Sequence, residues 1–110
     1  MVRSPSKKRP PRKSATVRLV WRGITSRVRH TPKYFGDSDH VEIEVVSPKG
    51  APLPITTTGY RSHFLGADEL ADAGGPAAFV TAWLDREARS KDWSRTEFAW
   101  RQGDLFGREK

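Results

Sequence analysis

The apolar pattern of this chain changes period once, and that change constrains the fold more than any other feature. Between residues 15 and 58 the apolar side chains mostly alternate with polar ones. After the Gly74-Gly75-Pro76 break they return at every third and fourth position. A period of two is a strand with one buried face, and a period near 3.6 is a helix with one buried stripe. Strands come first and helices last. The expectation is an α+β domain: a three- or four-stranded antiparallel meander followed by two or three helices packed on one face.

The helical half is the more clearly punctuated. Gly tolerates the left-handed geometry at a helix end, and Pro suits a first helical turn, where its missing N–H has no partner to lose. Gly74, Gly75 and Pro76 therefore stop one helix and start the next. From Pro76 to Arg89, Phe79, Val80, Trp83, Leu84 and Ala88 form one apolar face, with Asp85, Arg86 and Glu87 mostly outside it. Residues 68–73 (DELADA) read as a short preceding helix whose acidic start suits the positive end of its dipole. Residues 94–97 (SRTE) have the spacing of a capping box, so a last helix is expected to run to about Arg101. Trp93, Thr96 and Trp100 share one side of it, with the tryptophans clamping the sheet.

The strand half begins at residues 15–22 (ATVRLVWR), where Val17, Leu19 and Trp21 lie on one face. Gly23 breaks this strand, and residues 24–34 form a second that ends near Pro32. Residues 40–47 (HVEIEVVS) are the best strand of the chain, with Val41, Ile43 and Val45 inward and Glu42 and Glu44 outward. Pro48 to Pro52 is turn chemistry. Residues 53–58 (LPITTT) are expected to return as the next strand, and residues 60–65 (YRSHFL) to leave the sheet. Arg18, Arg22, Arg27 and Arg29 are expected on one exposed sheet surface. Glu42 and Glu44 are placed to pair with these arginines across strands, each exposed pair adding about 0–1 kcal/mol.

Charge is distributed unevenly. The net charge is +7, yet the first 36 residues hold eleven Lys or Arg and no acid, while the remainder is mildly acidic. Residues 1–14 (MVRSPSKKRPPRKS) have almost nothing to bury and are expected to be a disordered basic tail. Residues 15–101 then form a single α+β domain, and 102–110 a C-terminal peptide. A concentrated basic arm favours an anionic partner such as DNA or RNA. The candidate contacts are Lys7, Lys8, Arg9, Arg12 and Lys13 of the tail with Arg18, Arg22, Arg27 and Arg29 of the hairpin. They would hold phosphates with little sequence readout. A solubilising terminus is the competing reading of the tail.

Other chemistry is sparse. The absence of cysteine excludes disulfides, thiolate catalysis and Cys-based zinc sites. Asp37, Asp39 and His40 lie close together on a turn without a further ligand, so no metal is assigned, and no cofactor is expected. Arg61, Ser62 and His63 form a candidate anion site, with a guanidinium fork beside two hydrogen-bonding side chains. No triad order, phosphate loop or paired-carboxylate signature accompanies His63, so an enzyme is not expected. No apolar run is long enough to cross a membrane, and the basic start lacks the apolar core of a secretion signal. A cytoplasmic protein with no membrane partner is expected.

Gln102-Gly103-Asp104-Leu105-Phe106 ends in an adjacent apolar pair close to the C-terminus. This pentapeptide resembles the bacterial sliding-clamp-binding motif. Gln102, Asp104, Leu105 and Phe106 match it, and Gly103 departs from the usual Leu. The resemblance implies docking to a clamp, with the Gln amide at a pocket rim and Leu-Phe inside an apolar pocket. The alternative is that Leu105 and Phe106 cap the core. From about Val17 through Phe106 the chain also resembles a group of short uncharacterised proteobacterial proteins, on HVEIEVV, GYRSHFL, the GGP break, FVTAWLDREA and the terminal Leu-Phe. That likeness implies a bacterial cytoplasmic origin and no particular chemistry.

Overall fold

A computed structural model of the chain describes residues 14–105, with backbone alone for Asp104 and Leu105. The basic tail through Lys13 and the C-terminal Phe106 lie outside the described residues. Four strands come first: β1 (Ala15–Trp21), β2 (Ile24–Phe35), β3 (Ser38–Ser47) and β4 (Tyr60–Gly66). Three helices follow: α1 (Ala67–Ala73), α2 (Pro76–Glu87) and α3 (Lys91–Leu105). The strands pair in sequence order and all antiparallel, which is the expected meander. Among the described residues no helix is long and apolar enough to cross a membrane.

The β1–β2 connection is a two-residue turn. Trp21 pairs directly with Ile24, and both Arg22 and Gly23 take positive φ, 50° and 82°. Such turns match the natural twist of a hairpin and set its register without slack. The register then decides which side chains are dry. Trp21, Ile24, Val28, Val41, Ile43 and Leu65 all point to one face and are buried there. Leu70 of α1, Val80 and Leu84 of α2, and Trp93 of α3 close over them.

The fourth strand is displaced from its expected place. Residues 53–58 do not form a ladder strand; Leu53 and Thr56 make one isolated bridge. Pro52 and Pro54 have no N–H to give, so a ladder cannot run through them. Ala51, Leu53 and Ile55 fill the core from this loop instead. The strand is residues 60–66, expected as an exit segment. Its inward positions are Arg61, His63 and Leu65, while Tyr60 and Phe64 point outward. An inward set with one apolar residue in three hides the strand from a hydrophobic pattern.

The helix punctuation is as expected. Gly74 caps α1 in the left-handed region at φ 99°, and its N–H reaches Ala71 and Leu70 carbonyls. A Cβ at Gly74 would also lie 3.3 Å from the Ala78 Cβ. Pro76 sits in the first turn of α2. The last helix starts earlier than the capping-box spacing indicates. Ser90 is its cap, with its Oγ accepting from the Trp93 N–H at 3.0 Å. Ser94 lies inside the first turn, its Oγ donating to the Ser90 carbonyl at 3.4 Å. The helix continues to Leu105 rather than ending at Arg101.

Leu84 is fully buried, whereas Val20 on the opposite face is 61% exposed. Leu84→Ala is expected to lower the unfolding free energy by about 2–5 kcal/mol. Val20→Thr, which keeps the β-branch, should change it by no more than about 0.5 kcal/mol. Urea denaturation of the two variants measures both.

Candidate functional site

Because the three helices pack on the inner face, the outer face of the sheet is uncovered among the described residues, and strand alternation dictates what it displays. Cross-strand register sets its residues in rows. One row runs Arg18, Arg27, Glu44, Tyr60 from β1 to β4. The next runs Thr16, Arg29, Glu42, Ser62, and a third places Thr31, His40 and Phe64 side by side. The basic residues therefore lie on β1 (Arg18) and β2 (Arg27 and Arg29), the acidic pair on β3 and the aromatic pair on β4.

The expected Arg–Glu pairs are present. Arg27 Nη2 donates to Glu44 Oε1 at 3.0 Å, and Arg29 Nη2 donates to both oxygens of Glu42 at 3.0 Å. The hydrogen bond and the charge of Glu42 hold the Arg29 guanidinium pKa above its ordinary value. These four side chains and Thr16 line a shallow hollow of about 170 Å³. Arg18 sits directly opposite Arg27 and has no ion pair among the described residues. Like charges in such a position repel.

Arg22 does not share this surface. Its guanidinium lies 4.7 Å over the Trp21 ring and 3.2 Å from Glu97 Oε1 on α3. Arg101 joins the same carboxylate at 3.2 Å. The turn that carries Arg22 thus serves to hold α3. Of the four hairpin arginines expected together, Arg18, Arg27 and Arg29 share the outer face. Lys7, Lys8, Arg9, Arg12 and Lys13 lie outside the described residues. Their point of attachment does not: the Ser14 and Thr31 hydroxyl oxygens are hydrogen-bonded at 2.8 Å, so the tail joins the domain at the outer face.

Sequence reasoning missed the aromatic members of this face. Tyr34, His40 and Phe64 form one cluster, with the His40 ring centroid 4.6 Å from each of the other two. His40 is buried by them. Its Nδ1 is 3.2 Å from Glu42 Oε2 but not aligned for a hydrogen bond. Tyr60 stands exposed two rows away on the same strand as Phe64. The signal was available in the alternation of residues 60–66, had that segment been read as a strand.

Alternation also separates the Arg61, Ser62 and His63 candidates. Ser62 points outward beside Glu42. Arg61 and His63 point toward α2. Arg61 Nη1 donates to the Ile55 carbonyl at 2.9 Å, and its guanidinium lies 5.3 Å over the Trp83 ring. His63 packs against Trp83 at 4.9 Å and Phe79 at 5.9 Å. The structure does not bring the three together as one anion site. At the other end of the chain, residues 102–105 are the last turn of α3, and Gln102 is half-buried.

Asp39 is the buried carboxylate of the domain's β2–β3 end. It accepts from the Lys33 N–H at 3.0 Å, and its second oxygen is 2.8 Å from His30 Nε2. Lys33 has a positive φ of 49° in the irregular stretch of β2, so this carboxylate closes a backbone group that the ladder leaves open. Burial pushes the Asp39 pKa up. The hydrogen bonds from Lys33 and His30, with their charges, outweigh burial and leave it below its ordinary value.

A family model described as the KlcB third domain matches residues 14–93, and the chain belongs to that family. No curated protein and no solved structure matches the chain. The matched segment holds the whole sheet, α1, α2 and the first turn of α3. It ends on Trp93, the α3 residue that is buried in the core. The basic tail and most of α3 lie outside it.

Asp39→Asn is expected to destabilise the domain by about 1–3 kcal/mol at neutral pH, since it weakens a charged acceptor of two bonds. A depressed folded-state pKa contributes stability that is present above the unfolded value of about 3.9 and is lost as pH falls through the folded value. The gap between parent and variant should therefore close below about pH 4. Denaturation curves across that range test it.

Proposed function

We propose that this domain binds nucleic acid without sequence preference, through the outer sheet face and the basic tail rooted beside it. The observation that supports this most is Arg18 facing Arg27. A like-charged cross-strand pair on an exposed face costs stability and is relieved when an anion lies over it. Residues 14–105 contain twelve basic and twelve acidic residues, so the whole excess of positive charge lies outside them. In this reading the tail supplies the long-range attraction and the sheet face supplies the docking point. Catalysis has no part in it: His63 is engaged by rings, and binding needs no reaction. A bacterial, cytoplasmic setting is part of the same reading.

Binding of this kind responds to salt in a countable way. Residues 1–13 hold six Lys or Arg. Deleting them should reduce the slope of log affinity against log salt by up to about 5 on duplex DNA. Arg18→Ala should reduce it by about one, and Arg22→Ala, whose side chain is committed to α3, by much less. Unmeasurable affinity at low salt, or affinity unchanged by the deletion, would sink this reading.

The second reading is an adaptor that docks to a sliding-clamp-like protein through Gln102, Asp104, Leu105 and Phe106. Residues 102–105 are helical, so docking as an extended peptide requires the last turn of α3 to unwind. Gly103 within that turn favours unwinding, since Gly in a helix is less stable than Ala by about 0.5–1 kcal/mol. Leu105→Ala combined with Phe106→Ala should abolish co-elution with a purified clamp and leave the melting temperature unchanged. A drop of several degrees would instead assign the pair to the core.

A further inference from the structure

The outer face carries a second kind of chemistry that charge alone does not use. Phe64, Tyr60 and Tyr34 are 51%, 49% and 42% exposed. All three belong to the outer side of the sheet, where none of the described helices covers them. Burying such rings is worth more than exposing them, and a face held open with aromatic rings and arginines offers two contacts at once. Rings accept the faces of unpaired bases, and guanidinium groups accept phosphates. Tyr60 even shares a row with Arg18 and Arg27.

We infer that the outer sheet face binds single-stranded nucleic acid, with bases stacked on Tyr60 and Phe64 and a phosphate held by Arg18. This rests on the proposed nucleic-acid reading and narrows it to unpaired strands. Two geometric points favour a single strand over a duplex. A duplex hides its base faces in the stack, so the rings would have no partner. Four strands also span on the order of 14 Å across the sheet, wider than the roughly 12 Å major groove, which admits a helix or a two-stranded ribbon. Glu42 and Glu44 stand between the basic and aromatic columns. Each is already bound to an arginine, at 3.0 Å in both cases, which reduces its repulsion of a passing phosphate. Phe64 and Tyr60 are four residues apart on one strand, about 13 Å, so the two rings engage bases that are not adjacent.

The test is fluorescence anisotropy of the full chain with labelled oligothymidylate, labelled oligouridylate and a labelled duplex, all at low salt. Single strands are expected to bind at least tenfold tighter than duplex. Tyr60→Ala should weaken single-strand binding by about one to two orders of magnitude and leave duplex binding unchanged. Tyr60→Trp should retain it. Phe64→Leu, which keeps an apolar contact on His40 but removes the ring, should weaken it comparably. Equal affinity for single strand and duplex, with Tyr60→Ala neutral, overturns the stacking inference and leaves the charge reading standing. Absence of binding to all three probes overturns both.

Discussion

Trp21 ties the first hairpin, α2 and α3 of this domain together. It is the last residue of β1, and its ring lies against Trp93 of α3 with centroids 5.8 Å apart. Its indole N–H donates to Asp85 of α2 at 2.9 Å. A buried tryptophan needs a partner for its N–H, and here the partner comes from a different element than the packing surface. One side chain therefore fixes both later helices to the first hairpin. Arg22, next in the chain, adds the Glu97 and Arg101 contacts from outside. Trp93 has the opposite balance: its own indole N–H is buried without a partner among the described residues. Its place is held by ring packing, which must exceed the roughly 1–3 kcal/mol that an unmade hydrogen bond costs.

With the three helices on one side, the other side of the sheet is left uncovered among the described residues, and its composition follows. An antiparallel sheet can meet water on one face. What stands there must either hydrate well or pair, and the β2–β3 register allows two Arg–Glu pairs. A fifth charged residue, Arg18, falls on the edge strand and has no carboxylate opposite it. The face is consequently near neutral where its columns pair and positive at its β1 edge, beside the residue from which the tail departs.

Much of this was legible from the residues. Two-residue alternation located β1, β2 and β3, and the Gly-Gly-Pro break located α1 and α2. The inward set of Val41 and Ile43 and the pairing of Glu42 and Glu44 with arginines also followed from alternation. What escaped shares one cause. In β4 the aromatic residues face outward and Arg61 and His63 face inward, so hydrophobicity pointed to the wrong face and the wrong segment. LPITTT looked more like a strand by β-propensity, yet its prolines deny it a ladder. Arg22 was grouped with the other arginines because parity allows it. A turn with positive φ at two residues is not part of a pleat, so parity does not carry through Arg22. Ser94 offers the fuller capping motif, yet the helix starts at Lys91, so Trp93, which packs on Trp21, lies inside it.

The family match bears on how the proposed binding parts relate to the fold. It covers residues 14–93 and so includes the sheet face with Arg18, Arg27, Arg29, Tyr60 and Phe64. The tail and residues 94–110, including the pentapeptide, lie beyond it. The matched segment therefore holds the sheet and its outer face, while Trp100, beyond the match, still packs against the core. The proposed binding parts would act over different ranges. In the proposed reading the tail would attract through a field that salt screens within about 10 Å at moderate ionic strength. Stacking on rings acts only at contact and survives salt. A neutral folded part with a charged extension would, on that reading, separate capture from recognition. Under the proposed reading, changes in the tail would alter how often a strand arrives, and changes on β4 how long it stays.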